Sequence, residues 1–222
     1  MAAPLPVKFE PNVPLMLRDG TITYTDVYRP DAPDRFPALL QRTPYDKSSQ
    51  ASRSLILDAV RAASSGYAVV VQDVRGMFNS DGEFYPFVNE ISDGYDSVEW
   101  VAGQRWCDGK VGMYGTSYIG ATQWLAAKAK PPSLVAIAPG FTASDYHEGW
   151  VWQGGAFQLG FSLLWALNFL TAANWDSLSK RLFLPHHQVD LLWNAVDNLV
   201  EGYKYLPMRE LTDLEGGLAP YY

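Results

Sequence analysis

The sequence predicts an α/β fold: a mostly parallel sheet flanked by helices, with an N-terminal hairpin and a helical cap insertion. Three observations carry that reading. Strand-like and helix-like runs alternate between residues 36 and 140, the rhythm of strands joined by helical crossovers. The run Tyr-Ala-Val-Val-Val-Gln at residues 67–72 is continuous and β-branched, as a strand covered on both faces requires. Beyond about Ser144 the apolar residues take helical spacing, and five of the eight tryptophans (Trp150, Trp152, Trp165, Trp175 and Trp193) gather there.

The elements follow in order. Residues 14–17 and 21–28 flank Arg18-Asp19-Gly20, and Asp-Gly between alternating runs signals a hairpin. Residues 36–42 form a short apolar strand. Residues 52–65 carry Leu55, Ile56, Ala59, Val60 and Ala63, a helical stripe that Gly66 ends. The strand at 67–72 leads into a polar, Gly-containing loop through Glu83. Residues 91–101 form a helix with Tyr95, Val98 and Val101 on one side. A turn at Cys107-Asp108-Gly109 precedes a short strand at 111–114, a tight turn at 115–120 and a helix over 118–129. Pro131-Pro132 stops that helix. Residues 134–138 read as another buried strand, closed by Pro139-Gly140. No strand is predicted from there to Tyr222. The domain reading is a core portion at 1–143 and a helical cap insertion, packed over the sheet, at 144–222.

The bulk composition narrows the function. A chain of 222 residues, 48% hydrophobic, buries one good core. Its net charge of −7 argues against nucleic acid and against an anionic membrane surface. The apolar stretch at 157–173 is interrupted by Gln158, Gly160, Ser162 and Asn168, which no spanning helix favours. The first fifteen residues lack a basic region followed by an apolar run, so no signal peptide is expected. The single cysteine, Cys107, fits a reducing compartment, hence the cytoplasm, and reads as a buried filler. Three histidines (His147, His186, His187) and no second cysteine argue against zinc. No cofactor is expected.

One segment carries chemistry. Val111-Gly112-Met113-Tyr114-Gly115-Thr116-Ser117-Tyr118-Ile119-Gly120 sets a serine on a sharp strand-to-helix turn. That is the nucleophile elbow of the α/β-hydrolase type. The strict G-x-S-x-G is not met. Small residues stand two before Ser117 (Gly115) and three after it (Gly120), with Ile119 between. The turn would place Ser117 near a helix N-terminus and aim the Tyr118 N–H at a developing oxyanion. The competing reading is a capping serine before a helix.

The surrounding residues resemble a known family. Gly115 to Gly120, after Trp106-Cys107-Asp108-Gly109-Lys110-Val111, is similar to the elbow of the cocaine-esterase and X-prolyl dipeptidyl-peptidase family, related to the α-amino-acid ester hydrolases. Met16 to Gly20 with Tyr28-Arg29-Pro30 resembles its opening hairpin. Arg42-Thr43-Pro44-Tyr45-Asp46-Lys47 resembles its R-x-P-Y-x-K loop. Gln72-Asp73-Val74-Arg75-Gly76 through Ser80-Asp81-Gly82-Glu83-Phe84 resembles a further block. The resemblance implies that Ser117 is the acyl-accepting nucleophile. It implies that the Tyr118 N–H and the Tyr45 hydroxyl are the oxyanion donors, and that Trp150 and Trp165 line the acyl pocket. For the two tryptophans, ordinary helix packing stays open. Asp145 and Glu148 match poorly the carboxylates that hold a substrate ammonium in the ester hydrolases. Asp73, Arg75 and Asp81 are expected to shape the loop beneath the site.

A serine needs a base. In this fold the acid and the histidine follow the nucleophile on loops after later strands. His147, close to Asp145, and His186 and His187 are poorly placed for that. The expectation is therefore a serine acyl hydrolase acting on a small ester or X-Pro peptide, its Asp and His beyond residue 222. On that expectation the chain is an N-terminal portion that exposes a truncated sheet edge, open to self-association. The alternatives are a non-catalytic fragment that keeps the pocket and a flavodoxin-like ligand-binding domain.

Overall fold

In the computed structural model, which describes residues 3–175 and 186–205, the chain divides into two compact units, Met1–Ser144 and Asp145–Tyr222. The first unit is built on a six-stranded sheet. Its strands are β1 (Val7–Met16), β2 (Ile22–Pro30), β3 (Phe36–Thr43), β4 (Ala68–Asp73), β5 (Cys107–Thr116) and β6 (Leu134–Gly140), in spatial order β1-β2-β4-β3-β5-β6. β1 and β2 form the antiparallel hairpin, with Gly20 at φ 86° in its turn. β2 is antiparallel to β4, and the remaining pairs are parallel.

The alternation along β4 shows why residues 68–71 are apolar without a break. Ala68 and Val70 pack on one face with Val98 and Val101 of α2 (Glu90–Ala102) and Ala126 of α3 (Tyr118–Lys128). Val69 and Val71 pack on the other with Ala59, Ala62 and Ala63 of α1 (Ala59–Ser64). Each strand residue has a helix to face, so none can be polar without a partner. The fold is the expected mostly parallel sheet with helices on both faces.

Three local expectations need correction. The helix expected over 52–65 is split. A wide turn of π type occupies Ala51–Leu55, and α1 starts afresh at Ala59. The cause is Asp58, whose extended backbone and side chain, accepting the Arg61 N–H, make a new helix start. The turn and short strand expected at 107–114 are one strand, β5, running through to Thr116. β6 is not buried. Among the described residues it is the sheet's edge, and Val135 is 62% exposed. A strand's apolar sequence reports the burial that it needs, and not the neighbours that supply it.

The second unit also differs from the all-helical expectation. A small hairpin, β7 (Trp152–Gln153) and β8 (Ala156–Phe157), opens it. Gly154 and Gly155 form its turn with φ 57° and 81°, a backbone that glycine adopts without a Cβ clash. Then come α4 (Leu159–Leu164), a π-type turn at Trp165–Thr171, and helices His186–Asp197 and Leu199–Gly202. Leu163, Ala166, Leu167 and Leu192 form its own core. Among the described residues no helix is long and apolar enough to cross a membrane. Residues 176–185 and 206–222, for which no strand is predicted, lie outside the described residues.

Candidate active site

β3 and β5 lie side by side, and the chain leaves their carboxyl ends in opposite directions. After β3 it runs to α1 on one face, and after β5 to α3 on the other. Such a divergence opens a crevice at the strand ends, where open α/β sheets bind ligands. Leu40 pairs with Met113, and both strands stop three residues later, at Thr43 and Thr116. Tyr45 follows the first and Ser117 the second. The fold thus carries these two residues to neighbouring strand ends.

Ser117 has φ 58° and ψ −128°, a left-handed backbone that costs a residue with a Cβ about 1–3 kcal/mol. Its N–H donates to the Gly140 carbonyl (3.0 Å), and its carbonyl accepts the N–H groups of Gly120 (2.9 Å) and Ala121 (3.1 Å). Helix α3 therefore begins at once. The Ser117 side chain makes no capping hydrogen bond, and its backbone is not the extended one of a cap. The plain capping reading does not describe it. Ser117 is half-buried at the strand end.

The shifted glycine pattern has a packing cause. A Cβ on Gly115, whose φ is 132°, would overlap Ile119 Cγ2. With isoleucine two residues after the serine, the residue two before it has to be glycine. A Cβ on Gly120 would stand 2.7 Å from Thr142 Cγ2 and 3.2 Å from the Gly140 carbonyl. That glycine lets α3 approach the end of β6 instead of shaping the turn. Gln123, buried, holds the same corner. Its amide donates to the carbonyls of Gly115 and Ile119 (both 3.1 Å), and its carbonyl accepts the Ala138 N–H (2.9 Å).

Tyr118 turns its side chain into the core. Its hydroxyl donates to Glu90 Oε1 (3.0 Å) and accepts the Phe87 N–H (2.9 Å). The rings of Phe87 and Phe84 stand 5.0 and 5.9 Å away. Burial, and then the Glu90 carboxylate, push this phenol well above the ordinary tyrosine range. Its side chain is an anchor, and its backbone lies at the start of α3.

Tyr45 sits half-buried on a loop fixed on both sides. Its N–H donates to Thr43 Oγ1 (3.0 Å). Two residues on, the Lys47 N–H donates to Asp73 Oδ1 (2.7 Å), and Lys47 Nζ donates to Asn12 Oδ1 (2.8 Å). The same ammonium lies 3.4 Å from Asp26 and 3.7 Å from Asp73, all three side chains buried. Burial pushes the Asp73 carboxyl up to about 7. Arg75 pairs with Asp93 (2.8 Å) and Asp19 (2.7 Å), and Asp81 bonds through its backbone to Gly76 and Ile22. Sequence reasoning missed Asp26 and Glu90, and it gave Arg42 and Lys47 only as residues of the loop motif, without a role. Arg42 and Asp26 did leave a signal, each being a charge within a run of strand residues.

The other candidates lie in the second unit. Trp150 stands edge-on to Tyr146 (5.6 Å), and Trp165 stacks on Phe161 (6.1 Å). His147 stacks on Trp152 (5.5 Å). Asp145 Oδ1 accepts the backbone N–H groups of His147 (2.9 Å) and Glu148 (3.1 Å), a local turn bond rather than a bond to an imidazole nitrogen. His187 is exposed, and the side chain of His186 lies outside the described residues. Residues 1–144 contain no histidine. Cys107 is fully buried, which raises its thiol. Among the described residues no cluster of three or more His, Cys, Asp or Glu side chains could hold a metal ion.

The family model for X-Pro dipeptidyl-peptidase (S15 family) matches residues 19–201. Cocaine esterase of Rhodococcus sp. (strain MB1 Bresler) is 45% identical over 162 residues, covering 70% of this chain and 27% of that protein. The chain therefore spans about a quarter of the length of that relative. A CocE/NonD family hydrolase from Staphylococcus aureus superposes with a TM-score of 0.68 at 26% identity, over 75% of this chain and 33% of the other. An α-amino acid ester hydrolase superposes with a TM-score of 0.61 at 29% identity, over 73% and 30%.

Proposed function

The chain belongs to the X-Pro dipeptidyl-peptidase (S15) family, and from that premise we propose that it supplies the nucleophile of a serine acyl hydrolase acting on carboxylic esters or X-Pro peptides. The observation that carries this is Ser117, held in a strained left-handed backbone between a parallel strand and a helix, its hydroxyl not spent on capping. Strain of that kind persists only where the surroundings impose it, and it collects at reacting groups.

In the proposed reaction Ser117 Oγ attacks the substrate carbonyl carbon. Its proton passes to a histidine supplied from outside residues 1–144. The carbonyl oxygen becomes an oxyanion that accepts hydrogen bonds from the Tyr118 N–H and the Tyr45 hydroxyl. The Tyr118 N–H belongs to the first turn of α3, whose dipole favours negative charge. Collapse of the tetrahedral intermediate breaks the ester or amide bond. The leaving alcohol or amine takes the proton from the histidine. Water then attacks the acyl-serine by the same route and restores Ser117. Trp150 and Trp165 are the proposed acyl-pocket aromatics. The scheme requires no metal or organic cofactor, and the lone buried Cys107 fits a cytoplasmic location.

Labelling with a fluorophosphonate tests the reading. Rapid modification of Ser117, lost in Ser117→Ala, is the expected result. A folded chain that stays unlabelled, alone and within the whole natural protein that contains it, would overturn it. A panel of p-nitrophenyl esters and X-Pro-p-nitroanilides then separates esterase from dipeptidyl-peptidase. The lack of histidine in residues 1–144 favours a second reading, a module that binds such ligands without turnover. That reading predicts saturable ligand binding with no labelling.

A further inference from the structure

Both oxygens of one buried carboxylate are in use, and they serve opposite sides of the proposed site. Glu90 stands in the first turn of α2 and is 4% exposed. Oε1 accepts the Tyr118 hydroxyl (3.0 Å), next to Ser117. Oε2 accepts Arg42 Nη1 (2.6 Å). Arg42 lies on β3, three residues before Tyr45, and is fully buried. Its Nε donates to Gln72 Oε1 (2.8 Å), which also accepts the Ser97 hydroxyl (2.9 Å). The Gln72 amide donates to Thr23 Oγ1 (2.8 Å), so the arginine is fixed from a second direction.

Stability alone is a poor reason for this arrangement. A buried ion pair returns little net stability over apolar residues of the same volume, because both ions lose their water. Among the described residues, Arg42 Nη2 is also buried without a hydrogen-bond partner, which adds a further cost. Phe87 carries a φ of 70° on a non-glycine backbone, and its N–H is the donor to the Tyr118 hydroxyl. Strain, a desolvated pair and an orphaned donor all converge on one clamp. What the clamp provides is geometry. It fixes the distance between the end of β3, which leads to Tyr45, and the start of α3, which carries Ser117 and the Tyr118 N–H.

We propose that Glu90 is a positioning residue that sets the gap between the Tyr45 loop and the Ser117–Tyr118 turn, and so the width of the oxyanion site. This rests on the hydrolase reading above for its kinetic consequence, but not for its structural one. Glutamine at position 90 keeps the volume and loses one acceptor. It can accept from Arg42 or from Tyr118, not from both.

The test is Glu90→Gln, read in two ways. In the 222-residue chain, amide NMR signals of Tyr45 and Asp46 and of Ser117 to Gly120 should both move. Movement of one set alone, or of neither, overturns the proposal. In the whole natural protein that contains the chain, kcat should fall about tenfold to a hundredfold, with KM changed by less than about threefold. The double variant Glu90→Gln/Tyr118→Phe should be no slower than Glu90→Gln. An unchanged kcat, or additive losses in the double variant, also overturns the proposal. Should Glu90→Gln not fold, Tyr118→Phe serves. The Arg42 Nε–H signal, on the far side of the carboxylate, should shift in it, and a stationary signal overturns the proposal. Full turnover in Ser117→Ala would instead remove the hydrolase reading, leaving the amide arm to decide on Glu90.

Discussion

Two loops deliver groups to the same strand ends, and they are held by different forces. Apart from the Glu90 clamp that both share, the turn at Ser117 is held by shape. A glycine stands where a Cβ would strike Ile119, a second glycine lets α3 reach β6, and Gln123 ties the corner to neighbouring carbonyls. The loop at Tyr45 is held by charge. One buried ammonium, Lys47, lies between two buried carboxylates, Asp26 and Asp73. The difference teaches how each can fail. A shape-held turn breaks when a methyl group is added and ignores pH. A charge-held loop breaks when a charge is removed and responds to pH.

The largest effect expected is from Lys47→Met. It leaves two buried carboxylates without their cation and should cost about 4 kcal/mol of unfolding free energy at pH 8. The loss should shrink at pH 5, where a carboxyl can take up a proton. Urea denaturation at the two pH values measures both. An equal loss at both would remove the charge argument. Next comes Gly115→Ala, with an expected loss of about 3 kcal/mol at either pH. Adding Ile119→Ala relieves the overlap but not the backbone strain, so it should recover part of that loss. Full recovery would show that the positive φ carries no cost.

The pH response of the charged loop has a definite sign. Asp73 is raised from 3.8 to about 7, so between those values the folded state holds a proton that the unfolded chain has released. Its contribution therefore lowers stability as pH rises from about 4 to about 7 and is constant above. The groups facing it are Lys47 and Asp46, with the Asn79 N–H, and Asp26 shares the Lys47 ammonium with it. Asp73→Asn should remove that slope, seen as a difference in unfolding free energy between wild type and variant across pH 4–8. The opposite slope would mean that Lys47 governs Asp73 more than burial does. At the Ser117 turn, Tyr118 is too strongly raised to ionise over that range, so no matching slope is expected there. Tyr45→Phe should have the smallest effect on stability, about 1 kcal/mol or less. Fluorophosphonate labelling should nevertheless fall about tenfold or more.

Much of this was legible in the sequence because the signals were local. Ser117 was found from a strand, a glycine two residues before it and a helix after it, all within one short stretch. The run at 67–72 announced a strand covered on both faces, and Val69 and Val70 do face opposite layers. The helix over 52–65 was misread because apolar spacing says nothing about Asp58, whose side chain restarts the helix. β6 was misread as buried because its apolar residues state a requirement that no described strand meets. Lys47 is visible in the sequence only as a residue of the Tyr45 loop motif, with no role attached. Its partners come from positions 12, 26 and 73, which no local window joins.

By itself, then, the sequence determined the layer order, the sharp turn at Ser117 and the family, because each is written in neighbouring residues. The second glycine shows the limit. Its place three residues after the serine was plain from the start, but only the packing of α3 on β6 explains it. Tertiary structure alone decided which charges meet. Arg42, Glu90 and Tyr118 come from a strand, a helix and a turn far apart in the chain, and Lys47 with Asp26 and Asp73 likewise. The physical reason is desolvation. A charge in an unfolded chain is solvated and needs no partner, and only burial in the assembled sheet makes its partner obligatory.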